Sequence, residues 1–311
     1  MQVGLTAFFF GLLATNTVFA DTTGGQFVDK DNRKYYVKDD HKAIYWHKID
    51  GKTYYFGDRG EMVVGWQYVE IHGTGYRDNL FNNRPVVEIG LQEKWYYFGQ
   101  DGALLEQTDK QVLEAKTSEN TGKVYGEQYA PSAEKRTYYF DNHYAVKTGW
   151  TYEDGNWYYL NKLGISGDDS YNPLPIGEVA KGWTQDFHVT VDIDRSKPAP
   201  WYYLDPETGI MQTGWKQIGN KWYYLRSSGA MATGWYQEGS TWYYLDAENG
   251  DMKTGWQYLG NKWYYLRSSG AMATGWFQVG SKWYYAYSSG ALAVNTTVDG
   301  YSVNYNGEWV E

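Results

Sequence analysis

From Gly214 onward the chain copies itself: GWKQIGNKWYYLRSSGAMAT runs into GWYQEGSTWYYLDAENGDMKT, then GWQYLGNKWYYLRSSGAMAT, then GWFQVGSKWYYAYSSGALAV. The Gly-Trp pairs put Trp215, Trp235, Trp256 and Trp276 at a period of 20 or 21. Seven residues after each stands a second indole opening a Trp-Tyr-Tyr, at Trp222, Trp242, Trp263 and Trp283. A period of this length marks a repeat architecture, in which one small unit cannot bury its apolar face alone and stacks on its neighbours.

One unit reads as a hairpin followed by a loop. In Trp215–Leu225 the turn is Gly219-Asn220, between two runs that favour strand. Pairing outward from that turn sets Ile218 opposite Lys221, Gln217 opposite Trp222 and Trp215 opposite Tyr224. Strand alternation then gathers Trp215, Trp222 and Tyr224 on one face and leaves Tyr223 and Leu225 on the other. Arg226-Ser227-Ser228-Gly229 is a polar turn leading to the next unit. A two-stranded hairpin is marginal in water, so the units must stack.

The pattern decays towards the N-terminus. Trp150 and Trp157 keep the spacing of seven, Trp183 and Trp201 lie 18 apart, and Trp66 and Trp95 lie 29 apart. Thr53 and Thr137 stand where the second indole belongs, which removes a wall from any ring box there. The expected organisation is degenerate, interrupted repeats over 27–200 and regular ones over 201–295. Residues 296–311 are expected to form a C-terminal cap with Asn306-Gly307 at a turn. Irregular loops are expected at 70–94, 103–136 and 161–200. At the front, the uncharged run Leu5–Leu13 and the small residues ending at Ala20 read as a secretory signal over 1–20.

Composition narrows the class. Of 311 residues, 19% are aromatic, with 16 Trp and 33 Tyr, so burial rests on large rings more than on an aliphatic core. Cysteine is absent, which excludes disulfides, thiolate metal sites and a cysteine nucleophile. A formal charge of −9 argues against nucleic acid and anionic membranes as partners. The apolar run at the front is too short to span a bilayer, and no later stretch is long and apolar.

Paired indoles beside a tyrosine are more than packing requires, since Val and Ile fill a core as well. A methionine also stands four residues ahead of each first indole, at Met211, Met231, Met252 and Met272. A flexible thioether can close the floor of such a cleft. A box of ring faces suits a quaternary ammonium, which donates no hydrogen bond but lies against several rings at about 0.5–2 kcal/mol each. Single sites of this kind are weak, and several on one chain gain avidity on a polymer.

The unit GWxxxxGxWYYL…GxMxTGW resembles the choline-binding repeat of Gram-positive surface proteins, whose teichoic acids carry phosphocholine. The resemblance implies an all-β fold, a left-handed superhelical solenoid of β-hairpins. Each choline would lie between neighbouring hairpins, held by two Trp of one, a Tyr of the next and the intervening Met. Carried onto this chain, Trp215 and Trp222 would meet Tyr244 over Met231. Trp235 and Trp242 would meet Tyr265 over Met252, and Trp256 and Trp263 would meet Tyr285 over Met272. Trp183 and Trp201 would meet Tyr224 over Met211. Trp276 and Trp283 have no regular successor, and the third wall beside Trp150 and Trp157 stays open. The implied partner is choline or phosphocholine on teichoic or lipoteichoic acid, with the protein secreted and held non-covalently at the wall.

The interrupted part holds the side chains that could carry chemistry. Glu88, Glu93, Asp168, Asp169, Asp186, Asp192 and Asp194 and the histidines at 41, 47, 72, 143 and 188 are the candidates. A carboxylate pair would suit a wall glycosidase, yet no non-repetitive stretch is long enough for a pocketed enzyme, and the carboxylates read as solvated loop charges. Asp192-Ile193-Asp194 alone is a weak calcium pattern, and neither a zinc, a phosphate-loop nor a serine-nucleophile motif is present. The chain is therefore read as non-catalytic, without cofactor or metal. Three roles remain: a wall-bound protein restraining wall hydrolases by competition for choline, an adhesin whose N-terminal half binds a host protein, and a cryptic wall hydrolase.

Overall fold

In the computed structural model, the described residues are 24–69, 94–123, 127–162, 176–186 and 199–311, with the side chains of 117–130 left aside. The proposed signal at 1–20, most of the loops expected at 70–94 and 161–200, and Glu88, Glu93, Asp168, Asp169, Asp192, Asp194, His72 and His188 lie outside them. Every regular element among the described residues is a strand. No helix among them is long and apolar enough to cross a membrane.

The hairpins form where the turn chemistry allows. Gly214–Ile218 pairs with Lys221–Leu225 in the register Gly214↔Leu225, Trp215↔Tyr224, Gln217↔Trp222 and Ile218↔Lys221. The pairing deduced by alternation is the observed one. Gly219 takes φ 61°, whereas at the equivalent turn both Gly260 (φ 55°) and Asn261 (φ 62°) are left-handed. These are the conformations that match the twist of a two-residue hairpin, and glycine adopts them at no steric cost. The same pairing recurs in the hairpins of Trp183, Trp235, Trp256 and Trp276.

The chain divides into two compact units, Met1–Gly149 with Leu160–Val179 and Trp150–Tyr159 with Ala180–Glu311. In the second, backbone bonds lock each hairpin to a later loop. The Met211, Met231, Met252 and Met272 amides donate to the carbonyls of Trp157, Trp201, Trp222 and Trp242 at 2.7–2.8 Å. Leu204, Leu225, Leu245 and Leu266 are fully buried, one per hairpin. A Cβ on Gly250 would come 2.4 Å from the Met231 Sδ, so the glycine gives the thioether its seat.

In the first unit, the stretch expected as an irregular loop over 103–136 is largely sheet. Asp109–Lys123 pairs with Glu127–Phe140, and the second of these also pairs with Gly65–Val69. The result is a four-stranded sheet in place of a plain hairpin. The alternation in this insertion is weak because its register shifts between Glu114 and Lys116 and again after it. Such bulges break the period of two on which a strand is recognised.

The C-terminal segment folds as Thr296–Val298, Tyr301–Val303 and Trp309–Val310, a three-stranded sheet. The Gly307 amide donates to the Asn304 carbonyl at the expected turn, and a further turn at Asp299-Gly300 precedes it.

Candidate functional site

Alternation decides which rings meet. Trp215 lies 5.3 Å from Tyr224 of its own hairpin and 4.8 Å from Tyr243 of the next. Trp235 meets Tyr244 and Tyr264, and Trp256 meets Tyr265 and Tyr284, the later tyrosine at 4.9 Å in both cases. Trp183 likewise meets Tyr203 and Tyr223. The ring arriving from the following hairpin is thus the first tyrosine of its Trp-Tyr-Tyr, not the second as expected for Tyr224, Tyr244, Tyr265 and Tyr285. The reason is facial. Tyr244 shares a face with Trp235 and looks onward, while Tyr243 sits on the opposite face and looks back.

The methionines are offset as well. Met252, not Met231, is tied to the Trp222 backbone, and Met231 to that of Trp201. Met272 is tied to Trp242, not to the Trp256–Trp263 pair, and Met211 to Trp157, not to Trp201. The loop that crosses each second indole comes from one hairpin further along than the linear order suggests.

The second indole is the exposed wall. Trp157, Trp201, Trp222, Trp242, Trp263 and Trp283 are 37–46% exposed. An indole left about two-fifths in water at six successive hairpins offers a π face to solvent. Two of the first indoles are pinned to carboxylates of the following hairpin or cap through their N–H: Trp215 donates to Glu238 Oε2 at 3.1 Å and Trp276 to Asp299 Oδ2 at 3.4 Å. Each carboxylate adds negative charge beside a box that favours a cation.

Two boxes gain walls that the repeat pattern does not specify. Trp150 meets Tyr202 at 4.6 Å, which supplies its third wall. Trp276 and Trp283 line a cavity of about 320 Å³ together with Tyr301 and Trp309. The cap provides the missing successor, because its short strands place two aromatics opposite the last regular hairpin. The Gly-Trp-Trp-Tyr-Tyr pattern carries no signal for it, since Trp309 stands outside that pattern.

The boxes of the first unit are closed. Trp46, packed 5.1 Å from Tyr96, has buried Thr53 where an indole belongs, and the Thr53 hydroxyl donates to Glu106 Oε1 at 2.5 Å. Trp66 sits 4.9 Å from Tyr97 and 4.5 Å from Tyr138, and its partner Trp95 is only 3% exposed. The Lys116 Nζ lies above that box, 4.4 Å from the Trp66 ring, 4.9 Å from Trp95 and 5.1 Å from Tyr138. Burial pulls the Lys116 ammonium below the ordinary lysine range, opposed by the Glu178 carboxylate, and burial pushes Glu178 upward.

Of the described candidates for chemistry, Asp186 is buried and structural rather than a solvated loop charge. It accepts from the Trp150 indole N–H and the Tyr159 hydroxyl, both at 3.0 Å, and burial together with that carboxylate raises the tyrosine's pKa. His47 is buried with Nε2 3.0 Å from the Ile44 carbonyl, and desolvation lowers its pKa to about 4. His41 is exposed on the short strand His41–Lys42, and His143 is exposed on a turn. Among the described residues no three His, Asp or Glu side chains converge on a metal-sized site.

The family described as choline-binding repeat matches residues 212–254 and 253–296, and a cell wall binding repeat family matches 46–62, 88–104 and 148–165. A crystal structure of CbpF in complex with ipratropium, obtained by soaking, is 80% identical over 93% of this chain and 100% of that one, with a TM-score of 0.66. Choline binding protein F from Streptococcus pneumoniae, in another crystal form, is 76% identical over the same shares with a TM-score of 0.64. CbpJ of that organism is 54% identical over 92% of this chain and 100% of its own, with a TM-score of 0.69. Glucosyltransferase-S of Streptococcus mutans is 30% identical over 44% of this chain. The chain spans only 10–16% of the length of the curated glucosyltransferases it matches.

Proposed function

This chain belongs to the choline-binding repeat family, and from that premise we propose that it is a non-catalytic wall protein whose open boxes hold the phosphocholine of teichoic and lipoteichoic acids. The observation that carries the reading is the row of second indoles exposed at 37–46% in the second unit. Trp242 lies 6.4 Å from Trp235 and Trp263 6.4 Å from Trp256, and each of those first indoles also meets a tyrosine of the next hairpin, ring faces that suit a trimethylammonium group. The sites are Trp183–Trp201–Tyr223, Trp215–Trp222–Tyr243, Trp235–Trp242–Tyr264 and Trp256–Trp263–Tyr284. Trp150–Trp157–Tyr202 and the cap cavity of Trp276, Trp283, Tyr301 and Trp309 complete the set. The ipratropium named with CbpF carries a quaternary ammonium as well, which supports the ligand class.

A protein secreted and held only by such contacts competes with wall hydrolases that dock through the same repeats, and so slows their access. The alternative, an adhesin, draws on the closed boxes of the first unit, whose surface then serves something other than choline. The test is lysis of choline-bearing walls by a co-added choline-anchored hydrolase. Slower lysis with this protein, and no slowing by a variant with Trp222, Trp242 and Trp263 replaced by alanine, supports restraint. Release of sugars or peptides by this protein alone overturns the non-catalytic reading. Unchanged lysis with host protein captured by the first unit moves the adhesin forward.

A further inference from the structure

The Trp66–Trp95–Tyr138 box repeats the geometry of the open ones. Its first indole meets the next tyrosine at 4.5 Å, against 4.8–4.9 Å for Trp215, Trp235 and Trp256. It meets its own tyrosine at 4.9 Å, against 5.0–5.3 Å in those three. Its N–H is likewise pinned by an acceptor from elsewhere, the Glu114 carbonyl at 2.8 Å. The difference is what lies in front. Trp95 is 3% exposed within a cluster that includes Val146 and Ile176, and the Lys116 ammonium lies over the box, within about 5 Å of all three ring centres, as the distances above show.

Lys116 reaches the box by a local irregularity. It sits on the inserted strand Asp109–Lys123, directly after a register shift from Glu114, so Ala115 and Lys116 both turn inward where plain alternation would send one out. The Nζ also donates to the Ile176 carbonyl at 2.8 Å, which fixes it over the rings. Among the described residues, no lysine or arginine cation lies over the rings of the open boxes.

We propose that the Trp66–Trp95–Tyr138 box is a ligand cage occupied from within, with Lys116 standing in for the quaternary ammonium and deciding that this repeat takes no choline. The insertion that lengthens this repeat therefore converts a binding cage into a structural one. The same box without Lys116 is a cage for a trimethylammonium group.

This rests on the open boxes being choline sites, and one titration separates the two claims. Choline bound per chain is counted by calorimetry and equilibrium dialysis for the full chain, for Lys116→Ala and for Lys116→Met. Methionine fills the space without charge. The expected result is one more choline on Lys116→Ala than on the wild type, none added on Lys116→Met, and loss of the gain in Lys116→Ala with Trp95→Ala. A folded Lys116→Ala with the wild-type count overturns the inference. Should Lys116→Ala fail to fold while Lys116→Met folds, refolding of the former by choline, judged by near-ultraviolet circular dichroism, supports it and absence of rescue overturns it. A wild type that binds no choline at all would instead sink the reading of the open boxes.

Discussion

Replacing Trp222 by leucine separates binding from folding. The indole is 42% exposed, so it combines one face packed on its neighbours with one face open to solvent. A tryptophan ring carries roughly 200 Å² of apolar surface. With about three-fifths of that buried at about 25 cal/mol/Å², the packed part contributes about 3 kcal/mol. Leucine keeps an apolar body at the same place, and a net destabilisation of about 1 kcal/mol is expected. The binding loss is larger in proportion. One of three ring walls disappears from the Trp215–Trp222–Tyr243 cage, about 1–2 kcal/mol for a partly desolvated cation. At tenfold per 1.4 kcal/mol that is a weakening of roughly five- to thirtyfold at one site. Calorimetric titration with choline, beside a guanidinium melt, reads both quantities. The expected outcome is one weakened site among unchanged ones, on a chain whose unfolding midpoint barely moves. Uniform weakening of every site would refute the assignment of Trp222 to a single cage. So would unchanged binding, which would make the exposed indole surface rather than wall.

Two further expectations follow from the packing. His47 is held neutral by burial, with its pKa lowered from 6.5 to about 4, so the unfolded chain binds the extra proton first. Stability from this group is complete above pH 6.5 and is lost as the pH falls towards 4, by about 3 kcal/mol at most. Melts of the wild type and His47→Gln across that window should show a shallower slope in the variant, and parallel slopes would disprove the role. Gly250 and Gly255 both take φ 74°, but only at Gly250 would a Cβ strike the Met231 Sδ, at 2.4 Å, with nothing within 4 Å at Gly255. Both alanine variants bear backbone strain of about 1–3 kcal/mol, and Gly250→Ala should lose at least about 1 kcal/mol more in denaturant melts. Equal losses would remove the thioether seat from the account.

Much of this was legible in the residues. The period, the turn at Gly219-Asn220 and the pairing of Trp215 with Tyr224 follow from counting, because strand alternation has no freedom once the turn is fixed. The choice between Tyr243 and Tyr244 needed the way hairpins stack. Sequence order says which hairpin follows, but not which of its faces looks back. Lys116 was invisible for a different reason: a register shift erases the alternation that would have placed it inside. Trp309 belongs to no repeat, so only the folded cap brings it to Trp276. Asp186 looked like one more loop carboxylate, since nothing nearby in sequence announces that Trp150 and Tyr159 donate to it.

The end-to-end pairing of each hairpin has a mechanical meaning. Gly214 lies opposite Leu225, so the chain enters and leaves the hairpin at the same end, as it does at Gly234 and Leu245. Tension along the polypeptide loads those terminal pairs first and peels the strands apart one rung at a time, instead of shearing a whole sheet at once. Every such sheet here has two strands and its own turn, and few backbone bonds, such as that from the Met252 amide to the Trp222 carbonyl, tie one hairpin to the next. A hairpin and its loop of about 20 residues release roughly 60–70 Å when drawn out. Under pulling, the second unit is expected to lengthen in small steps at low force, one hairpin at a time.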